Sequence, residues 1–168
     1  GPFQTYEGYR AWAVQASQDA DPFFFAVVDK STNRALGVAS YLRIQPQHGV
    51  IEIGSIHFSP LLQRTSAATE ALYLMIAHVF SLGYRRCEWK CDALNAPSRA
   101  AALRLGFTFE GVFRQAIVYK GRSRDTAWFA IIDRDWPRLD AAFQAWLDPA
   151  NFNEEGLQKA PLAARTPP

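Results

Sequence analysis

Apolar and polar residues are grouped along this chain in blocks whose period changes from block to block. Residues 5–18 place Tyr6, Tyr9, Trp12, Ala13 and Ala16 at helical spacing on one face, and Asp19-Ala-Asp-Pro22 stops the pattern. Residues 23–29 are aromatic and β-branched and predict a strand. A turn at 30–34, with Asn33 suited to positive φ, leads to a partner strand over 36–44. After a second turn at 46–49, residues 50–58 predict a strand with Gly54 near its middle, where an interior glycine marks a bulge or a close backbone approach. Residues 67–82 are apolar on nearly every face, which predicts a deeply buried helix with Gly83 as its C-terminal cap.

The second half repeats the alternation. Residues 85–91 predict a strand, 97–105 a short helix closed by Gly106, and 107–110 the start of another strand. Residues 111–119 and 123–132, joined at Lys120-Gly-Arg122, predict a hairpin, and Asp135-Trp-Pro137 opens a helix to about residue 147. The expected organisation is one domain over 1–147, whose opening Gly1-Pro-Phe3 reads as a fragment start or a protease scar, and a polar, Pro/Ala-rich irregular tail over 148–168. Strands and helices mixed in this way predict an α+β or three-layer α/β fold.

Between the strand at 50–58 and the helix at 67–82 lies a loop of small residues, Thr65, Ser66, Ala67 and Ala68. The first N–H groups of a helix have no internal partner and carry partial positive charge, so a loop of this kind receives an anion such as a pyrophosphate. Small side chains let the ligand approach the backbone, and Arg64 adds a mobile charge. A capped helix start with no ligand is the alternative.

Composition narrows the field. The chain has 168 residues, 49% of them hydrophobic and 14% aromatic, enough for a substantial core. A net charge of +2 is too small to argue for nucleic acid as a partner, and none is expected. Cys87 and Cys91 have no further Cys or His cluster with which to build a metal site, and two unpaired thiols suit a reducing, cytoplasmic setting. No run of apolar residues is long enough to span a membrane.

A second motif completes the first. Trp89-Lys-Cys-Asp-Ala-Leu-Asn95-Ala-Pro-Ser98 is followed by Leu105-Gly-Phe107 and by Glu110-Gly111. The order strand, N-x-x-S, short helix, L-G-F, x-x-E-G resembles the GNAT superfamily of acyl-CoA-dependent N-acetyltransferases, in the branch of the RimJ and RimL type. The family loop reads Q/R-x-x-G-x-G/A; here it is Gln63-Arg-Thr-Ser66-Ala-Ala68, with Ser66 where glycine is usual. The resemblance implies a mixed, mostly antiparallel sheet flanked by helices. That sheet splays between the strands at 50–58 and 86–92 to admit a pantetheine arm.

It also implies a site and an activity. The activity is transfer of an acetyl group from acetyl-CoA, with no metal, to the amine of a peptide N-terminus or a small molecule, by a monomer or homodimer. Gln63, Arg64, Thr65, Ser66, Ala67, Ala68 and Thr69 would hold the pyrophosphate. Backbone groups of His57 and Phe58 would pair with the pantetheine amides, and an N–H near Phe58 would polarise the thioester oxygen. Asn95 would contact the pantetheine arm, cap its helix, or both. Ser98 would stabilise or protonate the departing thiolate, or be only a first-turn hydroxyl.

The base is less plain. Relatives carry a glutamate at the position of Ile117, which cannot take a proton. Glu52 matches a glutamate common in the branch, and strand alternation would set it on one face with Gly54, Ile56 and Phe58. His57 and a water oriented by Asp92 are the other candidates, and each of the three also has a purely structural reading. Without a strong base, an α-amine (pKa about 7.7–8.0, roughly a tenth neutral near pH 7) is a better acceptor than a lysine at about 10.4. Arg122 and Arg124 read as a solvated hairpin tip or as charges for an acidic acceptor; Trp89 and Trp128 read as core. The contrasting function is a non-catalytic acyl-CoA-binding or sensing domain, suggested by the missing carboxylate at Ile117.

Overall fold

A computed structural model describes residues 3–162. In chain order the elements are α1 (Tyr6–Ala16), β1 (Phe23–Asp29), β2 (Arg34–Gln45), β3 (Val50–Phe58), α2 (Ser66–Ser81), β4 (Arg86–Asp92), α3 (Ala96–Arg104), β5 (Thr108–Tyr119), β6 (Arg122–Ile132) and α4 (Trp136–Leu147). The strands form one sheet in the order β1-β2-β3-β4-β6-β5. Every pairing is antiparallel except β3 with β4. A parallel pair needs a crossover, and α2 provides it. This is the mixed, mostly antiparallel sheet flanked by helices that the sequence predicts.

Alternation along the strands assigns the two faces. Tyr41, Ile51, Ile53, Cys87, Trp89, Phe129 and Ile131 pack in one buried cluster with Leu72, Ile76 and Val79 of α2 and Leu139 and Phe143 of α4. Both cysteines are free and buried on that side. α2 departs from the expectation of burial all round. It buries Ala68, Leu72, Met75, Ile76 and Val79, one stripe at helical spacing, while Leu74 is 56% exposed. The opposite face of the sheet carries Ser40, Glu52, Glu88, Lys90 and Trp128, by the pairings Ser40 with Gly54, Leu42 with Glu52, Glu52 with Glu88 and Lys90 with Trp128. Trp128 therefore lies outside the main core, half-buried, with Lys90 Nζ 4.5 Å from its ring centroid.

Two irregularities shape the middle of the sheet. Arg43 has φ 51 at a bulge in β2, and the Asp21 carboxylate accepts from the N–H groups of Arg43 and Ile44 there, at 2.9 and 3.0 Å. In β3 the register with β2 slips between Gly54 and His57, and Ser55 has φ 49. Gly54 itself is a close approach: a Cβ there would meet Leu42 Cδ2 at 2.9 Å and Glu52 Oε1 at 3.3 Å. The extra residue reverses the alternation beyond it. Glu52 and Gly54 thus share a face with His57, while Ile56 and Phe58 pack against the core cluster. The expected grouping of Glu52 with Ile56 and Phe58 is overturned by this bulge.

The segment after Asp148 is more ordered than its polarity predicts. Pro149–Asn151 form a 3-10 turn, and Phe152 bridges to Gln158. Asn151 Nδ2 donates to Trp146 O, Trp146 Nε1 donates to Gln158 Oε1, and Leu162 joins the core. Residues 163–168 lie outside the described part.

Candidate active site

β3 and β4 pair at only three positions, Val50 with Arg86, Ile51 with Cys87 and Glu52 with Glu88. Beyond Glu52 the β3 bulge carries the two strands apart. The edge of β3 that faces β4 therefore has no ladder partner from residue 53 onward, and its free N–H and C=O groups are open to water or to a ligand strand. A cavity of about 550 Å³ fills the gap. Residues 54–57 of β3 and 89–92 of β4 form two of its walls, the start of α3 a third, and Tyr119, Arg122 and Arg124 of the β5–β6 hairpin the fourth. His57 is exposed in this wall and Phe58 half-buried just past it.

The loop into α2 is built by its own polar side chains. Thr65 is the N-cap, in extended conformation, and its Oγ1 accepts from Ala68 N at 3.1 Å while donating to Leu62 O at 2.7 Å. Gln63 Nε2 donates to Phe58 O at 2.7 Å, which ties the loop to the end of β3. Arg64 is held at φ 62, a left-handed conformation in which its side chain projects from an exposed turn. Ser66 lies in the helix and outside the positive-φ residues, so the usual glycine is not required by the backbone here. Ser66 and Ala67 are exposed, whereas Ala68 and Thr69 are buried. Thr69 Oγ1 accepts from Arg104 Nη1 at 3.0 Å, an α2–α3 contact that occupies the hydroxyl.

Across the wedge, Asn95 caps α3: its Oδ1 accepts from Ser98 N at 3.1 Å. Ser98 lines the cavity, and its Oγ accepts from Trp89 Nε1 at 3.1 Å. Because Oγ is the acceptor in that bond, its own hydrogen can go to a second partner, and the neighbouring Cys91 sulfur is one such acceptor. Its neighbour Cys91 has its thiol pushed up by burial, against a lowering hydrogen bond from Ser98. Trp89 is core, as expected, at 5% exposure.

Glu52 sits behind the cavity wall, 4% exposed. Lys90 Nζ lies 2.6 Å from its Oε2 and Arg43 Nε 3.5 Å away. Burial holds the Glu52 carboxyl above its ordinary 4.5, with Lys90 and Arg43 opposing the shift. Asp92 closes the end of β4: it accepts from Leu94 N at 3.0 Å and from Arg122 Nη2 at 2.6 Å, and the Leu94 bond first, then Arg122, holds its carboxyl below the ordinary range. Asp92 thus caps the end of its strand, and Arg122 is its partner across the cavity mouth. Ile117 is 46% exposed on β5, directly opposite Arg124.

The structure thus brings together His57, Asn95 and Ser98 around one cavity and places the α2 loop where β3 ends. It sets Glu52 one side chain away, behind Lys90, and leaves Thr69 on the buried side of α2. Lys90 and Tyr119 were not singled out from the sequence. Lys90 could have been, since a lysine on a strand parallel to that of Glu52 is within reach of its carboxylate.

Comparison with known proteins agrees with this geometry. The family model for the acetyltransferase (GNAT) domain matches residues 2–108. An uncharacterized N-acetyltransferase, p20, of Bacillus licheniformis is 29% identical over 117 residues, 67% of this chain; the chain spans 63% of that relative's length. A GCN5-related N-acetyltransferase structure from Brucella melitensis is 52% identical with a TM-score of 0.94, over 96% of this chain and 73% of its own. A GNAT-family structure from Chromobacterium violaceum is 46% identical with a TM-score of 0.78, over 82% and 69% of the two chains. A splayed β3–β4 pair, a capped loop into α2 and a matching family model over most of the chain agree, and the protein belongs to the GNAT acetyltransferase family.

Proposed function

We propose that this protein moves an acetyl group from acetyl-CoA to a primary amine, with a free α-amine as the favoured acceptor, in the manner of the RimJ and RimL branch. The observation that carries the reading is the parting of β3 from β4 after Glu52, which leaves an unpaired backbone edge and a cavity between the two strands. A structure from Vibrio cholerae whose name points to a ribosomal-protein-serine acetyltransferase, 26% identical with a TM-score of 0.60 over 75% of this chain and 70% of its own, lends the branch support.

The residues present fit the cosubstrate. Acetyl-CoA, when bound, supplies an activated thioester. The exposed N–H groups at Ser66 and Ala67, with Arg64, would take its pyrophosphate, since Thr65 already satisfies Ala68. Gln63 and Thr69 hold the loop and the helix in place through Phe58 and Arg104. The free edge of β3 at His57 and Phe58 would pair with an extended amide-bearing arm, as one strand pairs with another. Ser98, oriented by Trp89, would donate a hydrogen bond to the departing thiolate, which then takes its proton from solvent. Glu52, held protonatable by burial, receives the amine's proton through water at the Lys90 side of the cavity.

The test uses two matched peptides, one with a free N-terminus and a blocked lysine, the other with a blocked N-terminus and a free lysine. At neutral pH the acetylated product should be found on the α-amine, which is about a hundredfold or more richer in the neutral form. Acetylation confined to the lysine would overturn the α-amine assignment and require a stronger base than the site contains.

A further inference from the structure

We infer that the acceptor carries a carboxylate close to its amine and that Arg124 is the residue that receives it. This rests on the reading of the cavity as the place of transfer. Three cations border that cavity, Lys90, Arg122 and Arg124. Two are already matched: Lys90 by Glu52 and Arg122 by Asp92, each at 2.6 Å. Arg124 makes no ion pair among the described residues, and its Nε is buried without a hydrogen-bond partner. A guanidinium N–H removed from water and left unpaired is costly unless a ligand completes it.

The register explains why the chain itself does not complete it. Arg124 pairs across the strands with Ile117, so its nearest neighbour on β5 brings no charge. On β4, Thr126 pairs with Asp92, but that carboxylate is held by Leu94 N and by Arg122. The adjacent Asp125 points to the other face of β6 and accepts from Gln115 N at 2.7 Å. Arg124 faces the same side of the sheet as Lys90, through the pairing of Lys90 with Trp128. The cavity thus holds one surplus planar donor fork, the geometry that grips a carboxylate through two parallel hydrogen bonds. The carboxylate can come from an acidic first residue of a peptide or from a free amino acid, and both place it a few bonds from the amine.

The experiment compares acid and amide members of two pairs, using the whole protein with acetyl-CoA and correcting for the neutral fraction of each amine. One pair is Asp-Ala-Ala-amide against Asn-Ala-Ala-amide; the other is a free amino acid against its amide. In at least one pair the acid should have a kcat/KM about tenfold or more above the amide. Arg124→Met should bring the two within about twofold, and Arg124→Lys should retain part of the difference. The pair that responds identifies the source. Equal use of acid and amide in both pairs, or a preference that survives Arg124→Met, overturns the proposal. So does loss of CoA affinity in Arg124→Met, which would assign the guanidinium to the cosubstrate. Calorimetry with the unreactive N-acetylated products decides the matter without turnover. If no amine is acetylated but the acidic product binds the wild type and not Arg124→Met, the anion subsite stands and the transferase reading falls; if neither variant distinguishes acid from amide, the subsite falls.

Discussion

At Ser98 one oxygen has two jobs. It accepts the Trp89 indole N–H and keeps a hydrogen to give away, while its own backbone N–H is taken by the Asn95 cap. Ser98→Ala should therefore lower kcat by about 10–100-fold with little change in KM for acetyl-CoA. It should also cost about 1–2 kcal/mol of stability by stranding Trp89 Nε1. Asn95→Ala should cost about 1 kcal/mol as a lost cap and act mainly on KM; steady-state kinetics and urea unfolding separate the two, and equal small effects on kcat would remove Ser98 from the chemistry. Glu52 has a pH signature. Its folded carboxyl is held above 4.5, so the folded protein keeps this proton more readily than the unfolded chain. The stability it contributes is complete below about 4.5 and is lost as pH rises through the raised folded value. Glu52→Gln should abolish that downward slope in urea unfolding from pH 4 to 8, while weakening the hold on Lys90. The same substitution should depress activity most at low pH, where few acceptors are neutral. A uniform loss at every pH would make Glu52 a structural counter-ion of Lys90.

At the scale of elements, the turn before α2 separates backbone from charge. Arg64 sits at φ 62, where glycine would be relaxed. Arg64→Gly should raise stability by up to about 1 kcal/mol and yet weaken CoA binding several-fold, because the charge is gone. A variant that gains stability and keeps full CoA affinity would show that Arg64 does not touch the anion. Element positions were largely legible in the sequence: β1 and β3 occupy the residues that periodicity and turn chemistry mark out, and Thr65 and Asn95 cap the helices that follow. What escaped were the irregularities. The bulge residue is Ser55, next to the glycine that draws attention, and it reversed which side chains of β3 face Glu52. β5 continues through Gly111 as one strand with irregularities near Gly111 and Gln115, because β6 offers it an unbroken ladder on the other side. Such shifts depend on the partner strand and cannot be read from one segment alone.

For the whole molecule, the site is where three departures from regularity meet: the β3 bulge, the end of β3–β4 pairing and the capped loop into α2. The motif Asn95 to Ser98 announced one wall of the cavity from sequence, and Gln63 to Ala68 announced the loop that follows β3. Arg122 and Arg124 were candidates from the hairpin sequence, but only the register separates the paired Arg122 from the unpaired Arg124 and brings Lys90 to Glu52. The most direct test of the account is amine-dependent release of free thiol from acetyl-CoA by the whole protein, offered a pool of α-amino peptides and amino acids. The account predicts release that requires both protein and amine, matches the N-acetylated product formed mole for mole, and falls with Ser98→Ala. Binding of acetyl-CoA with no amine-dependent release from any member of the pool would contradict it and leave an acyl-CoA-binding domain in its place.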